Sequence, residues 1–277
     1  MTAQVRDGRV LAVNRTPNGH MAAPASTPRS VLITGASSGI GAALARTYAA
    51  PAVTLALGGR DGARLADVAQ ACQSVGAAVR AEAIDVLDAD RMAAWVAGTD
   101  AEAPLDLVIA NAGISAGTGS GSEPKDQARR ILDVNLMGVV NTVMPAVELM
   151  RPRRSGQVAI LSSLAAFRGF PGAPAYCASK AAVRVWGEAL RGHLHADGIG
   201  VSVICPGYVK TPMTAVNTFP MPFLMDAERA ARIIRRGLAR NKARIAFPWP
   251  MAALVWLLAA LPPGWTDPLL RTMPGKD

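Results

Sequence analysis

The segment Val31-Leu-Ile-Thr-Gly35-Ala-Ser-Ser-Gly39-Ile-Gly41 decides the fold of this chain. Its first four residues form a short apolar run that is typical of a buried parallel strand. Three glycines follow, and the residues after them have the apolar spacing of a helix. A strand, a glycine turn and a helix start present free N–H groups and the positive end of the helix dipole to an anion. The sequence therefore predicts a pyrophosphate-binding turn formed by Gly35, Ser37, Ser38, Gly39, Ile40 and Gly41.

The rest of the chain alternates apolar runs with helix-like stretches. Strands are predicted at 31–34, 52–57, 79–84, 105–110, 157–161 and 200–205. Such alternation is typical of βαβ units, which form parallel sheets with right-handed crossovers. With 277 residues, of which 51% are hydrophobic, the chain is long enough for one large domain. We therefore expect an α/β fold, a single Rossmann-type doubly wound parallel sheet with helices on both faces, over residues 29–246.

Residues 1–28 are polar and rich in proline, and they lack the apolar core of a secretory signal. We expect a disordered tail, or upstream sequence preceding a true start at Met21. The cysteines Cys72, Cys177 and Cys205 are not clustered, which indicates a reducing compartment and argues against a disulfide framework or a zinc site. The prediction is a cytoplasmic protein without a metal.

Tyr176 and Lys180 are the residues most indicative of chemistry. At a separation of four residues they share one helix face, so the ammonium can lie beside the phenol. A phenol titrates near ~10, and a fixed positive charge beside it favours the phenolate. We therefore expect Lys180 to lower the pKa of Tyr176. The chemistry that this pair suits is proton exchange with an alcohol or carbonyl oxygen.

Six ordered motifs between about 30 and 215 resemble the short-chain dehydrogenase/reductase family. They are Thr34-Gly-Ala-Ser-Ser-Gly-Ile-Gly41, Asn111-Ala-Gly113, Asn135-Leu-Met-Gly138, Ser162-Ser163, Tyr176-x-x-x-Lys180, and Pro206-Gly207 with Thr211. The resemblance implies an oxidoreductase that interconverts a ketone or aldehyde and an alcohol with a nicotinamide cofactor. The alternative is a non-catalytic protein that senses NADP(H) or serves as an interaction module, because a fold does not guarantee an activity.

The resemblance also implies a role for each catalytic position. Tyr176 would be the general acid or base, and Lys180 would lower its pKa and bond the nicotinamide ribose. Ser163 would polarise the substrate oxygen, with Ser162 as the second choice and more suited to a structural role. Asn135 would help to hold a water in a proton relay towards Lys180; the alternative is a polar side chain bonded to the backbone.

Cofactor choice depends on the end of the second strand. A carboxylate there would bind a ribose 2′-hydroxyl, whereas the chain has Gly59 and Arg60, which suit a 2′-phosphate. NADP(H) is therefore preferred over NAD(H), although Asp61 could pair with Arg60. By resemblance, Asp85 contacts adenine or instead caps the next helix. Asn111 lies beside the adenosine half and Thr211 near the nicotinamide amide.

The segments 164–175 and 207–225 are predicted to enclose the substrate. They contain few charges and many apolar side chains, namely Phe167, Phe170, Tyr208, Met213, Phe219, Met221, Phe223, Leu224 and Met225. A lining of this kind favours a lipophilic ketone or alcohol. The alternative is that these side chains pack a mobile lid against the domain.

Residues 247–277 form an apolar extension that follows a strongly basic stretch at 228–244. The apolar run 251–261 would measure about 16 Å as a helix, which is too short for a bilayer core of roughly 30 Å. Its composition fits peripheral membrane contact through 247–270, or burial against the domain or another subunit. The net charge of +9 is not accompanied by a nucleic-acid recognition motif, so nucleic-acid binding is not expected.

The resemblance further implies a homo-oligomer. We expect the long helices at about 124–150 and 176–196 to pair between subunits. The second of these carries small residues that would allow two helices to approach closely, at Ala178, Ala182 and Ala189.

Overall fold

The computed structural model describes residues 27–118 and 121–272. Within them, seven parallel strands form one sheet in the order β3-β2-β1-β4-β5-β6-β7. The strands are β1 Ser30–Thr34, β2 Thr54–Gly59, β3 Ala78–Ala83, β4 Leu107–Ala110, β5 Gln157–Leu161, β6 Gly200–Pro206 and β7 Arg244–Phe247. The strand order reverses between β1 and β4, as in a doubly wound fold, where ligands bind beyond the carboxyl ends of the strands. This confirms the predicted α/β architecture.

Helices connect the strands and cover both faces of the sheet. They are α1 Gly39–Tyr48, α2 Gly62–Gln73, α3 Ala89–Glu102, α4 Lys125–Leu132, α5 Gly138–Arg153, α6 Pro174–His193, α7 Pro212–Ala215, α8 Ala227–Leu238, α9 Trp249–Ala260 and α10 Pro263–Leu270. A π-helical turn, Asp133–Met137, joins α4 to α5, and a 3₁₀ turn, Leu164–Ala166, follows β5.

The pleat of β1 explains why its residues are continuously apolar. Val31 and Ile33 belong to the core that also contains α1, α2 and α8 residues, whereas Leu32 belongs to the core on the opposite face. All three side chains are fully buried. Because successive side chains of a strand point to opposite faces, a sheet covered on both sides requires apolar residues at every position.

The strand β7 was not predicted from the sequence. Ile245 and Phe247 are buried in the core, whereas Arg244 is exposed and begins the strand. The strand pairs with β6 and forms one edge of the sheet. Its first residue, Arg244, is also the last residue of the basic stretch, so the short apolar alternation was not recognised.

The apolar C-terminal stretch forms α9, which packs on the sheet near this edge. Val255 of α9 lies in a small core with Leu164, Val203 and Cys205. Ile204 lies between Val203 and Cys205 on β6, and its side chain instead belongs to the core that contains α8 residues. The apolar α9 and the arginine-rich α8 therefore cover opposite faces of the sheet.

The predicted disordered tail, except for its last two residues, lies outside the described residues. By length and composition alone, the helical stretch Lys125–Arg153 would suffice to cross a membrane. However, half of its most apolar 18-residue segment is buried in the domain. Core helices of soluble proteins commonly have this composition, so the stretch gives little support for a membrane span.

Candidate active site

The glycine turn has a backbone that larger residues would not tolerate. Gly35 and Gly39 have φ angles of +66° and +54°, in the left-handed region. A Cβ on Gly41 would lie 2.2 Å from the carbonyl oxygen of Gly35. These positions keep the chain tight against the start of α1 and leave its backbone open to a ligand.

The start of α1 has the properties of an anion site. Ser38 is the N-cap, and within the described part of the chain its side chain makes no capping hydrogen bond. The first N–H groups of a helix have no intrahelical acceptor, so a pyrophosphate could occupy that role here. The turn itself is held from β4, because Asn111 Nδ2 donates to the carbonyls of Thr34 (2.9 Å) and Gly35 (3.1 Å). Asn111 therefore supports the turn as well as lining the cleft.

At the end of β2, Gly59 is buried and Arg60 is exposed. Asp61 does not pair with Arg60. It caps α2 by accepting from the Arg64 N–H at 3.0 Å, and it pairs with the Arg64 guanidinium at 2.6 Å. These bonds with Arg64 lower the pKa of the Asp61 carboxyl. The expectation that Asp61 could pair with Arg60 is therefore wrong, because capping of α2 turns the Asp61 carboxylate towards that helix.

Arg64 also lines the cleft, and sequence reasoning missed it. The signal was present, because Asp61 precedes a helical pattern and Arg64 is the third residue after it. Asp85 lines the same region, and its Oδ1 accepts from the Leu87 N–H at 3.1 Å. The N-cap of α3 is Asp88. The capping role considered as the alternative for Asp85 is therefore wrong.

The serine pair at the end of β5 is divided between two tasks. Ser162 is buried, and its hydroxyl donates to the main-chain carbonyl of Lys180 at 2.8 Å. Ser163 is half-buried, caps the 3₁₀ turn by accepting from Ala165 N–H, and forms a hydrogen bond with Tyr176.

Tyr176 lies in the first turn of α6, four residues before Lys180. Burial raises the pKa of the Tyr176 phenol, and the hydrogen bond with Ser163 opposes that shift. Lys180 Nζ lies 5.9 Å from the centroid of the Tyr176 ring and donates to the Leu161 carbonyl at 3.0 Å. Burial lowers the pKa of Lys180 to about 8. The expected lowering of the Tyr176 pKa by Lys180 is therefore not what the structure shows, because desolvation dominates both groups.

The start of α6 is held by a residue that the motifs did not indicate. Glu123 Oε2 accepts a 3.0 Å hydrogen bond from the N–H of Ala175, immediately before Tyr176. A carboxylate at a helix N-terminus satisfies a free N–H and complements the helix dipole. Glu123 thus ties the loop after β4 to the helix that carries Tyr176 and Lys180.

Asn135 is fully buried in the π-helical turn. Its amide exchanges two hydrogen bonds with the backbone of Ile114, at 2.8 and 2.9 Å, and also donates to Ser179 Oγ at 3.0 Å. A Cβ on Gly113 would lie 3.0 Å from Asn135 Oδ1 and 3.2 Å from Lys180 Nζ. Asn135 is thus bonded to the backbone, as in the alternative expectation, while its oxygen and Lys180 Nζ both border the space beside Gly113.

One cleft of about 290 Å³ contains most of the predicted site. The predicted residues that line it are Gly35, Ser37, Ser38, Gly39, Ile40, Arg60, Asp85, Asn111, Ser163, Tyr176, Lys180 and Thr211. Gly41 and Asn135 are buried and do not line it. Thr211 caps α7, and its methyl group approaches Gly39. An elongated ligand could therefore extend from the Arg60 end, across the glycine turn, to Tyr176.

The predicted substrate walls differ from expectation. Of the apolar side chains named in them, Met213 lines the cleft. Phe167 and Phe170 pack against the small core beneath α9, and Tyr208 makes an edge-on contact with Phe219 at 6.0 Å. In the segment 164–175, both phenylalanines therefore pack against the domain, as in the alternative expectation.

Comparison with known proteins agrees with this geometry. Residues 29–219 match the family model for short chain dehydrogenases. An uncharacterized oxidoreductase of Myxococcus xanthus is 38% identical over 246 residues, which cover 88% of this chain and 97% of that protein. The ketoacyl reductase HetN of a Nostoc species is 32% identical over 193 residues, covering 69% and 67%. A crystal structure of a short-chain type dehydrogenase/reductase from Mycobacterium marinum superposes with a TM-score of 0.71 at 26% identity, covering 79% and 93%. The chain therefore belongs to the short-chain dehydrogenase/reductase family of oxidoreductases.

Proposed function

We propose that the protein interconverts a lipophilic ketone or aldehyde and the corresponding alcohol, with NADP(H) as the cofactor. The observation that carries the proposal is that Ser163, Tyr176 and Lys180 line the same cleft as the glycine turn. A turn suited to pyrophosphate and a set of groups suited to proton transfer are thus arranged along one continuous surface.

The residues at the Tyr176 end have complementary tasks. The phenol of Tyr176 is protonated at neutral pH, because burial raises its pKa, and can donate a proton to a carbonyl oxygen in reduction. The hydroxyl of Ser163, bonded to Tyr176, would orient and polarise that oxygen. Lys180, held by the Leu161 carbonyl, would bond the ribose next to the nicotinamide. The bound nicotinamide would supply or accept the hydride, which is chemistry that no side chain provides.

The preference for NADP(H) rests on the end of β2. Gly59 leaves room there, and a Cβ on it would be 3.3 Å from the Ser37 side chain. Arg60, Asp61 and Arg64 line this end of the cleft, and Asp61 is neutralised by Arg64. The remaining guanidinium, that of Arg60, suits a 2′-phosphate better than a 2′-hydroxyl.

The choice of a lipophilic substrate follows from the border of the cleft. Met213 and Val209 give the cleft an apolar border near Tyr176. The similarity to a protein named as a ketoacyl reductase supports a carbonyl substrate on an acyl chain. Substrates of this kind would also be accessible to a protein that contacts membranes.

The substitution Tyr176→Phe tests the proposal, because it removes the phenol oxygen and retains the ring. We expect NADPH-dependent reduction of a panel of aliphatic and aromatic ketones to fall by about 10²–10⁴-fold. Binding of NADPH, followed by its fluorescence, should remain nearly unchanged. A variant with half of the wild-type kcat would contradict the role of Tyr176.

The wild-type protein distinguishes the enzyme from the non-catalytic alternative. NADPH binding without turnover across ketones, aldehydes and alcohols would favour a sensor or an interaction module.

A further inference from the structure

The outer side of the C-terminal helices α9 and α10 forms an exposed apolar surface, which we name the α9–α10 face. Its exposed side chains are Trp249, Leu254, Trp256, Leu257, Trp265 and Leu269. The three tryptophans are 78%, 61% and 75% exposed. Six large exposed apolar side chains within 21 residues of the chain indicate an interaction surface, since isolated apolar residues are common on any protein but clusters are not.

The composition of α9 explains why this face is exposed. The helix is apolar on every side, so packing one stripe of it on the domain leaves another apolar stripe outside. Val255 and Leu258 form the buried stripe, and Trp256 and Leu257 lie on the outer one. From Phe247 to Thr266 the chain contains no Asp, Glu, Lys or Arg. A surface without charge over twenty residues is disfavoured in water but suits the apolar part of a bilayer.

The groove beside α10 supplies positive charge. It is lined by Arg168, Arg184 and Arg271, with Asp267 as the carboxylate among its lining residues. Asp267 is neutralised by Arg168 at 2.7 Å, and Arg184 pairs with Glu188 at 3.1 Å. The arginine Arg271 is exposed at the end of α10. The charge next to the apolar face is therefore net positive, which complements anionic phospholipid headgroups.

We propose that the α9–α10 face seats the protein on the surface of a bilayer that contains anionic phospholipids. The tryptophans would lie at the headgroup boundary, where amphipathic rings are favoured, and the exposed Arg271 would contact phosphate. The helix α9 has 12 residues, or about 18 Å, so it lies in the interface and does not span a hydrocarbon core of roughly 30 Å. The arginines of α8, on the opposite face of the sheet, are not part of this surface.

The location of the face connects it to the cleft. The helix α9 contributes Val255 to the same small core as Leu164, which follows Ser163 directly. A Cβ on Gly207 would meet Met251 of α9 at 3.0 Å. A bilayer on the outer side of α9 would therefore lie close to two segments at the Tyr176 end of the cleft. One is the segment after β5, which begins at Ser162, and the other is the segment after β6, which begins at Gly207. The proposal does not depend on turnover, so it can fail or succeed independently of the redox activity.

The test is sedimentation of the full-length protein with liposomes of phosphatidylcholine alone and with added phosphatidylglycerol. We expect binding to the mixed liposomes at low salt, and weaker binding to the neutral ones and at high salt. The double substitution Trp256→Ser with Leu257→Ser should weaken partitioning by about tenfold or more, because it removes two exposed apolar side chains that the bilayer would bury. The matched control is Val75→Ser, which changes a 51% exposed apolar residue remote in sequence from α9 and should have no effect.

A second readout identifies the occupant of the face. Lipids brominated along the acyl chain should quench tryptophan fluorescence of the wild type, and quench the double variant less. Unchanged sedimentation and quenching in the double variant would overturn the proposal. It would also be overturned if the double variant became smaller in light scattering while the wild type never bound liposomes, because the face would then be a contact between two copies of the chain.

Discussion

The hydroxyl of Ser162 is bonded to the main-chain carbonyl of Lys180, 2.8 Å away, and is buried, whereas the next hydroxyl along the chain faces Tyr176. The two adjacent serines both line the cleft, but their hydroxyls have different partners on α6. One ties β5 to the helix that carries Tyr176, and the other is available to a substrate oxygen. Their substitutions to alanine should therefore have different consequences.

We expect Ser163→Ala to lower kcat/KM by roughly 10²-fold or more, as for the loss of one donor to a developing oxyanion. Ser162→Ala should cost about 1 kcal/mol of stability through the lost hydrogen bond, with a smaller effect on turnover. Steady-state kinetics and urea denaturation of both variants provide the measurement. The opposite ranking in kcat/KM would assign the substrate contact to Ser162.

The buried ammonium of Lys180 predicts a pH dependence. Burial lowers its pKa to about 8, so the charged form predominates at pH 7 and is lost as the pH rises through 8. If the charge supports cofactor binding, kcat/KM for NADPH should be level between pH 6 and 7 and should fall above pH 8. Lys180→Arg retains the charge at high pH, so the descending limb should move upwards in any residual activity. Lys125→Met, at an exposed position, is the control and should leave the pH profile unchanged. If the descending limb of the pH profile stays in place in Lys180→Arg, Lys180 is not the group whose deprotonation causes it.

Much of the fold could be predicted because a covered parallel sheet imposes a simple pattern. Six of the seven strands were expected: five of them are runs of mostly buried residues between helical segments, and the sixth, β3, is an exposed edge strand placed by the alternation of strands and helices. The seventh, β7, was missed because its two buried residues follow a run of arginines that belongs to the exposed side of α8. Four residues at a sheet edge contain too little alternation to be recognised.

The candidate site was predictable as a set of residues, but its electrostatics were not. The motifs identified the residues that line the cleft, because each occurs at the end of a strand or the start of a helix. The spacing of Tyr176 and Lys180 shows that they are near each other, but it does not show how far each is removed from water. Desolvation depends on how segments distant in sequence pack around both groups, and it is the largest influence on the pKa of each.

The packing of Gly41 predicts a selective loss of cofactor binding. Gly41→Ala would place a Cβ 2.2 Å from the Gly35 carbonyl oxygen and 2.6 Å from Asn111 Nδ2, so the turn must move. We expect loss of NADPH binding and on the order of 1–3 kcal/mol of stability. The control is Gly98→Ala in α3, where, among the described residues, no atom beyond the adjacent residues and the helix's own nearby backbone lies within 4 Å of the added Cβ. That variant should gain about 0.5–1 kcal/mol from helix propensity. Wild-type NADPH affinity in Gly41→Ala would disprove the assignment of the turn.

The exposed guanidinium of Arg60 predicts the cofactor preference. Wild-type protein should have the higher kcat/KM with NADPH, and Arg60→Ala should narrow its advantage over NADH by roughly ten- to a hundredfold, as expected for one charge-assisted hydrogen bond. Arg46→Ala removes an exposed arginine of α1 that does not line the cleft, and should leave the ratio unchanged. Equal use of both cofactors by the wild type would contradict the interpretation of Gly59 and Arg60.

The exposed side of α6 predicts self-association. Val185 is 55% exposed in the middle of this helix, and Met144 of α5 is 39% exposed, although both helices are otherwise packed in the domain. Short-chain dehydrogenases/reductases often form oligomers, and we expect these helices to pair between subunits. Light scattering at micromolar concentration should then show a species larger than 28.7 kDa. Val185→Glu would place a charge in the contact and should shift the protein to the monomer, because an unpaired buried charge is strongly disfavoured. The control, Val75→Glu, should leave the assembly intact. A monomeric wild type would contradict self-association. A Val185→Glu variant of unchanged size would place the subunit contact elsewhere.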